Sequence, residues 1–205
     1  MSKLTMTTFM TLDGVMQAPG GPPEDPSGGF RYGGWLVPHF DPEMAEFMVE
    51  VFERADAFLL GRTTYRIFAD HWPRVTDASD PIASKLNALP KHVASRTLDR
   101  LEWHNSSRVS EVASEVAELK SRYPRELQVH GSAGLAQTLI EHDLVDEYHL
   151  LVFPVVLGSG KRLFGSGAVP AAMKLLQTRS TSKGTIIASY ARAGKPTVGS
   201  FMLDP

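Results

Sequence analysis

The sequence predicts an α/β fold: a mixed, mostly parallel sheet flanked by helices, with a C-terminal antiparallel hairpin. Three observations carry that expectation. Short apolar runs alternate with helix-start signals such as Asp41-Pro42 and Asp80-Pro81. The last two β-rich runs are joined by Thr181-Ser182-Lys183-Gly184, a turn signal. No linker, repeat or like-charge block divides the 205 residues, so residues 1–205 are expected to form a single domain.

Each element has a local reason. Residues 4–10 alternate loosely and read as a strand. Leu12 to His39 then holds seven Gly and five Pro, an unusually long irregular segment. Phe30, Tyr32 and Trp35 give it apolar groups to pack, so a lid is expected rather than a disordered loop. Asp41 is an N-cap and Pro42 a first helical residue, and Met44, Phe47, Met48 and Val51 form one apolar stripe at helical spacing. Glu43, Glu46, Glu50 and Glu53 fall opposite and are expected to face water. Ala57 to Leu60 is a buried strand ending at Gly61, and Thr63 to about Asp70 a helix. Asp80-Pro81 opens a short helix that Pro90 stops, and Lys91 to Ser95 is strand-like. Ser110 is expected to cap a helix that ends near Pro124, with Val112, Val116 and Leu119 on one face. Leu127 to His130 is a strand leading into a helix that runs to about His142. Glu147 to Leu157 reads as a long strand interrupted at Pro154, and Met173–Arg179 with Thr185–Arg192 as the hairpin.

Composition narrows the function. With 21 Lys+Arg against 23 Asp+Glu the net charge is −2, which gives no bulk attraction to nucleic acid or an anionic membrane. Zero cysteines exclude a disulfide framework, a thiolate zinc site and a cysteine nucleophile. The seven histidines are scattered without metal-ligand spacing, so no metal is expected. Neither a signal peptide nor an apolar run of membrane-span length is visible, and the expected location is the cytoplasm.

The chemistry concentrates at three strand-to-helix junctions. These are Leu60-Gly61-Arg62-Thr63-Thr64-Tyr65, Val93-Ala94-Ser95-Arg96-Thr97 and Val129-His130-Gly131-Ser132-Ala133-Gly134-Leu135. Ligands of open α/β sheets bind beyond the carboxyl ends of the strands. Glycine lets a backbone approach a ligand, a helix start offers unpaired N–H groups, and hydroxyls with Arg add donors for phosphate. Three such junctions on one sheet edge point to an extended anionic ligand such as a dinucleotide. A tight turn with a helix cap is the alternative for each one alone. No G-x-G-x-x-G follows a strand, and Gly158-Ser-Gly160-Lys161-Arg162 lacks P-loop spacing and reads as a basic turn.

These motifs, with Thr11-Leu-Asp-Gly14, Lys91-His-Val-Ala-Ser-Arg-Thr97, Asp146-Glu147 and Phe153-Pro-Val-Val-Leu-Gly158, resemble the dihydrofolate-reductase-like superfamily. Within it they are most similar to the C-terminal reductase domain of the bifunctional riboflavin-biosynthesis deaminase/reductase, over about residues 3 to 192. The resemblance implies NADPH lying across the strand ends and hydride transfer to a pteridine-like or phosphoribosylamino-pyrimidine substrate. Carried over by motif, Gly61, Arg62, Thr63 and Thr64 hold phosphate and adenosine-side groups, and Ser95 with Arg96 sits beside the adenosine. Gly131, Ser132, Ala133, Gly134 and Leu135 cradle the pyrophosphate. Arg62 and Arg96 are the cations able to pair with a 2′-phosphate, favouring NADP over NAD.

Asp13 is the one carboxylate the resemblance places near the reacting end, as proton-handling candidate or loop cap. The first long helix carries no pocket-facing carboxylate, which departs from true dihydrofolate reductases. The zinc deaminase partner needs cysteines, so a stand-alone reductase domain is expected, with a homodimer through edge strands as a further expectation. A non-catalytic dinucleotide-binding module of the same fold is the alternative. The Gly/Pro-rich loop and the Phe153-Pro154 region are expected to line the substrate pocket.

Overall fold

The computed structural model describes residues 2–165 and 168–202. Its strands are β1 (Lys3–Thr11), β2 (Ala55–Gly61), β3 (Lys91–Ala94), β4 (Ser106–Val109), β5 (Glu126–His130), β6 (Glu147–Phe153), β7 (Met173–Ser180) and β8 (Ile186–Arg192). Its helices are α1 (Pro42–Glu53), α2 (Arg62–His71), α3 (Pro81–Ala88), α4 (Val112–Arg122) and α5 (Ala133–Glu141). One eight-stranded sheet results, in the order β4-β3-β2-β5-β1-β6-β8-β7. The first six strands of that order run parallel, and β8 and β7 add antiparallel to β6. The predicted fold class is the one observed.

Parallel strands covered on both faces tend to continuous apolar runs, as β2 has over Ala57–Leu60, whereas β5 alternates, with Leu127 and Val129 toward one face and buried Glu126, Gln128 and His130 toward the other. Leu59, Leu127 and Val129 face a core shared with Val116 and Leu119 of α4 and Leu135 and Leu139 of α5. Phe58 and Leu60 face the other core, with Met44, Phe47, Met48, Val51 and Phe52 of α1, Tyr65 of α2 and Leu86 of α3. Asp41 caps α1 by accepting from Met44 N, and Asp80 caps α3 by accepting from Ile82 N and Ala83 N.

Several expectations need correcting. β4 was not visible in the sequence: Ser106-Ser-Arg-Val109 is polar because it is an edge strand, with exposed Ser107 and Arg108, paired only to β3. Ser110 does not cap α4. Glu111 occupies the cap position, and the Glu115 carboxylate reaches back to accept from Ser110 N and Glu111 N. The long strand from Glu147 stops at Phe153. Glu43 and Glu50 do not simply face water: Glu50 receives two hydrogen bonds from Arg179, and Glu43 accepts from Ser182, so both tie α1 to the terminal hairpin.

The segment between β1 and α1 is packed and hydrogen-bonded. Gln17 is its hub: Nε2 donates to Asp25 O and Ser27 O, both at 2.9 Å, and Oε1 accepts from Lys161 N at 3.0 Å. Trp35 is buried, donates from Nε1 to Gln17 O at 2.8 Å, and meets Phe153 edge-on at 5.4 Å. Phe30 packs on the same core, whereas Tyr32 stays half-exposed. The basic turn crosses beneath this segment. Gly160 stands at φ +128°, and a Cβ there would come within 2.6 Å of Val15, so only glycine fits.

Lys91 is fully buried where α3 gives way to β3. Its ammonium donates to Leu86 O (2.8 Å) and Asn87 O (3.3 Å), orphan carbonyls of the last helical turn, and lies over the Trp103 ring. Desolvation pushes its pKa down to about 8.

Candidate functional site

The carboxyl ends of β2, β3 and β5 open into one cleft of about 1360 Å³. That exceeds the roughly 300–1,000 Å³ usual for a single small ligand and leaves room for a dinucleotide beside a second molecule. Gly61, Arg62, Thr63, Thr64, Ser95, Arg96, Gly131, Ser132, Ala133, Gly134 and Leu135 all line it. The three strand ends singled out in the sequence therefore converge in space, but only those of β2 and β5 start helices; the β3 end leads through a loop to β4, and the third helix start at the cleft is that of α4.

Helix starts distinguish this region. α1 and α3, capped by Asp41 and Asp80, have their first N–H groups satisfied. α2, α4 and α5 begin at Gly61, Glu111 and Ser132 with no side-chain cap, and all three starts border the cleft. Uncapped N–H groups and three positive dipole ends aimed at one space make an anion site. The contrast between the Asp-capped helices and those started by Gly61 and Ser132 was readable in the sequence; the α4 start at Glu111 was not.

Ser132 holds two of these starts together. Gly131 and Ser132 both adopt left-handed backbone, at φ +61° and +64°. For Ser132 that conformation costs on the order of 1–2 kcal/mol, so its contacts must fix it. Its Oγ accepts from Gly61 N at 2.9 Å and donates to Thr64 Oγ1 at 2.8 Å. A Cβ on Gly61 would lie 3.1 Å from Ser132 Cβ, so glycine is what lets the β2 and β5 ends approach.

The two candidate cations sit at the β3 side and are exposed. Arg62 Nη1 donates to Thr97 Oγ1 at 2.7 Å, and Arg96 Nη2 reaches Glu111 at 3.3 Å. Neither contact buries the guanidinium, so both retain donors for a ligand.

From this polar trough an apolar arm runs between α1 and α2. It is walled by Met44, Met48 and Phe52 of α1, Ile67 and Phe68 of α2, and Trp72 beyond it. Phe9, Leu36, Phe40 and Ile82 complete the lining. Phe153 does not line the cleft; it is wholly buried beneath Trp35 and Phe9, so the expectation for the Phe153-Pro154 region is corrected. The loop contributes as expected, through Met16 to Gly21, Pro23, Glu24, Asp25, Leu36 and Phe40.

Asp13 is also placed differently from its proton-handling expectation. It is absent from the cleft lining, and its carboxylate accepts from Thr11 Oγ1 (2.6 Å), Leu157 N (3.2 Å), Gly158 N (2.8 Å) and Arg162 Nη2 (3.4 Å). Led by the Thr11 hydroxyl, these donors hold its pKa well below the usual carboxylate range, so it stays ionised and braces the loop.

A residue that sequence reasoning passed over stands at the junction of trough and arm. His130 is buried and stacks on Phe52 with ring centroids 4.4 Å apart. The Gln128 amide is oriented by two acceptors, Val51 O and Glu126 Oε2, both 2.7 Å from its Nε2. Gln128 Oε1 must then accept, so His130 Nε2, 3.1 Å away, carries the proton. Nδ1 is left an acceptor. Desolvation, reinforced by His149, pushes the His130 pKa down to about 3. Thr7, its register partner on β1, and Thr8 add buried hydroxyls without partners among the described residues.

Burial also lowers the pKa of His149 and His92. An unfolded chain would protonate all three below about 6.5. Since the unfolded state binds more protons, their contribution to stability is whole above that pH and is lost as pH falls toward the folded values. His130 alone should withdraw about 2 kcal/mol between pH 6.5 and 5, at roughly 1.4 kcal/mol per unit. Urea melts at pH 7 and pH 5 check this; equal midpoints would refute the buried neutral assignment.

Sheet order and site together define an α/β protein of the dihydrofolate-reductase-like class. Residues 2–187 match the family model of the RibD C-terminal domain, and the chain belongs to that family. The uncharacterized protein YyaP of Bacillus subtilis (strain 168) is 26% identical over 190 residues, covering 92% of this chain and 94% of that one. A Shewanella sp. PV-4 structure assigned to riboflavin biosynthesis superposes with TM-score 0.70 at 21% identity, over 93% of this chain and 99% of that chain. The Thermotoga maritima diaminohydroxyphosphoribosylaminopyrimidine deaminase/5-amino-6-(5-phosphoribosylamino)uracil reductase superposes with TM-score 0.61 at 14% identity. There the match covers 94% of this chain and 57% of that chain. No helix among the described residues is long and apolar enough to cross a membrane.

Proposed function

We propose that the protein is an NADPH-dependent reductase that transfers hydride to a small planar carbonyl or imine substrate of the pteridine or aminopyrimidine type. The observation that carries this reading is the meeting of three uncapped helix starts in one cleft that continues into an apolar arm. Two solved structures of the same fold bear riboflavin-biosynthesis and uracil-reductase names, which supports the reaction class.

In this reading the first N–H groups of α5, with Gly131 and Ser132 ahead of them, hold the pyrophosphate. Gly61 to Thr64 at the α2 start hold phosphate and adenosine-side groups, and Ser95 and Arg96 flank the adenosine. Arg62 and Arg96 pair with the 2′-phosphate. Bound at this site, the reduced coenzyme supplies the hydride. Loop residues Met16 to Ala18 and Leu36 cover one side of the reacting end. Asp13 fixes the loop rather than donating a proton, and the proton is drawn from solvent.

The reading places the protein in the cytoplasm, where reduced coenzyme is available. A homodimer would pair through the edge strand β7, whose Leu175 and Leu176 are half-exposed.

Fluorescence transfer from tryptophan to NADPH tests the reading, and absence of binding at hundreds of micromolar would refute it. Arg62→Ala and Arg96→Ala should each cut the preference for NADPH over NADH about tenfold, the cost of one charge-assisted contact. An unchanged ratio in both variants would remove the 2′-phosphate assignment.

A further inference from the structure

The apolar arm has a chemistry of its own. Its wall is Met44, Met48, Phe52, Ile67, Phe68 and Trp72, and no Lys or Arg lies among its lining residues. α2 carries two arginines: Arg62 borders the cleft at the end of the helix away from Phe68 and Trp72, and Arg66 is exposed and outside the cleft lining. Lys161, the cation that borders the cleft on the loop side, is already paired with Asp25 at 2.6 Å. Glu24 and Asp25 make that rim acidic, and Asp70 and His71 at the arm's mouth are exposed. A phosphorylated substrate would bring a dianion to an arm-side lining that, among the described residues, holds three carboxylates and no unpaired cation, Lys161 being paired with Asp25 and Arg74 with Asp70.

Beside the arm, His130 supplies an acceptor, and Thr7 and Thr8, which line the same cleft, supply buried hydroxyls without partners among the described residues. The His130 ring lies against Phe52, Nε2 is committed to Gln128 Oε1, and Nδ1 has no partner among the described residues. A ring nitrogen that only accepts, with hydroxyls that can donate beside it and an apolar wall around it, suits a ligand that presents an N–H next to a carbonyl and carries no charge.

We propose that the arm binds an uncharged, unphosphorylated planar lactam or related carbonyl heterocycle, whose ring N–H donates to His130 Nδ1. The inference rests on the reductase reading for the reaction, but not for the binding. It sets this chain apart from relatives whose names specify a phosphoribosylamino substrate. The reaction balances with the coenzyme as reductant: hydride forms the new C–H bond at the ketone carbon, the C=O π pair moves to oxygen, and water protonates that oxygen. The coenzyme is released oxidised. His130, neutral and buried, orients the ring as a specificity residue and gives up no proton.

The test uses three probes with the same reducible ketone: isatin, N-methylisatin and isatin-5-sulfonate. NADPH binding is measured first and alone. Binding of each probe is then followed by tryptophan quenching, Trp72 being in the arm wall, and turnover by NADPH oxidation. Isatin is expected to bind at least tenfold tighter than N-methylisatin, which lacks the N–H, and at least tenfold tighter than the sulfonate. His130→Phe, which keeps a ring on Phe52, should bring isatin down to the level of N-methylisatin. The wild-type comparison stands even if that variant does not fold. Equal affinity for isatin and N-methylisatin, preference for the sulfonate, or no isatin binding would overturn the proposal. Loss of NADPH binding with the isatin preference intact would instead overturn only the reductase reading.

Discussion

Gly134→Val is expected to leave the fold as stable as before and to weaken NADPH binding by a hundredfold or more. Gly134 is the second residue of α5, where glycine costs up to about 1 kcal/mol against alanine. Nothing in the protein requires it: its φ is ordinary, and a Cβ there meets no atom within 4 Å. It does border the cleft, at the helix start assigned to the pyrophosphate. The added side chain would occupy the space a phosphate needs. A hundredfold loss is about 2.7 kcal/mol of binding, without a matching loss of folding free energy. Thermal melting and NADPH titration on one preparation decide it, and a dissociation constant within threefold of wild type would remove the pyrophosphate from this position. Gly131 would be a poorer test, because at φ +61° a side chain strains the backbone whatever binds.

The second large effect concerns the lid. Phe153→Ala should destabilise the protein by about 3–5 kcal/mol, the usual cost of deleting a buried aromatic ring. Phe153 is wholly buried at the end of β6, and its ring meets Phe9 at 6.1 Å, Trp35 at 5.4 Å and His39 at 6.2 Å. Two of those three partners belong to the segment between β1 and α1, so one ring pins the cleft cover to the sheet. At roughly 2–4 °C per kcal/mol for a chain of this size, the melting temperature should fall by about 10 °C. Amide exchange around Trp35 and His39 should accelerate more than exchange in β2 or β5. Uniform acceleration, or a loss under 1 kcal/mol (about a third of the expected minimum), would show that the ring does not anchor the lid.

The legible part of the fold was the part fixed by local chemistry. Asp41-Pro42 and Asp80-Pro81 each start a helix where a cap and a pre-set φ coincide. The stripe Met44, Phe47, Met48, Val51 is buried because four residues at helical spacing share one side of any helix. β4 escaped notice because an edge strand needs no apolar alternation, and its pairing to β3 is a long-range fact. Glu43 and Glu50 looked like solvent-facing residues because their partners, Ser182 and Arg179, lie more than a hundred positions away. Asp13 looked available because its nearest neighbours in sequence do not include Leu157, Gly158 or Arg162.

The same division runs through the site. By itself the sequence determined the three hydroxyl-bearing strand ends, two of them with glycine and a helix start, because turn, helix start and side-chain donor are properties of a few adjacent residues. Tertiary structure alone decided that they share one cleft, that a cation-free arm adjoins it, and that His130 keeps its proton on Nε2. Those outcomes depend on strand order and on what is left without a partner once the sheet has closed, and neither quantity exists until distant segments meet.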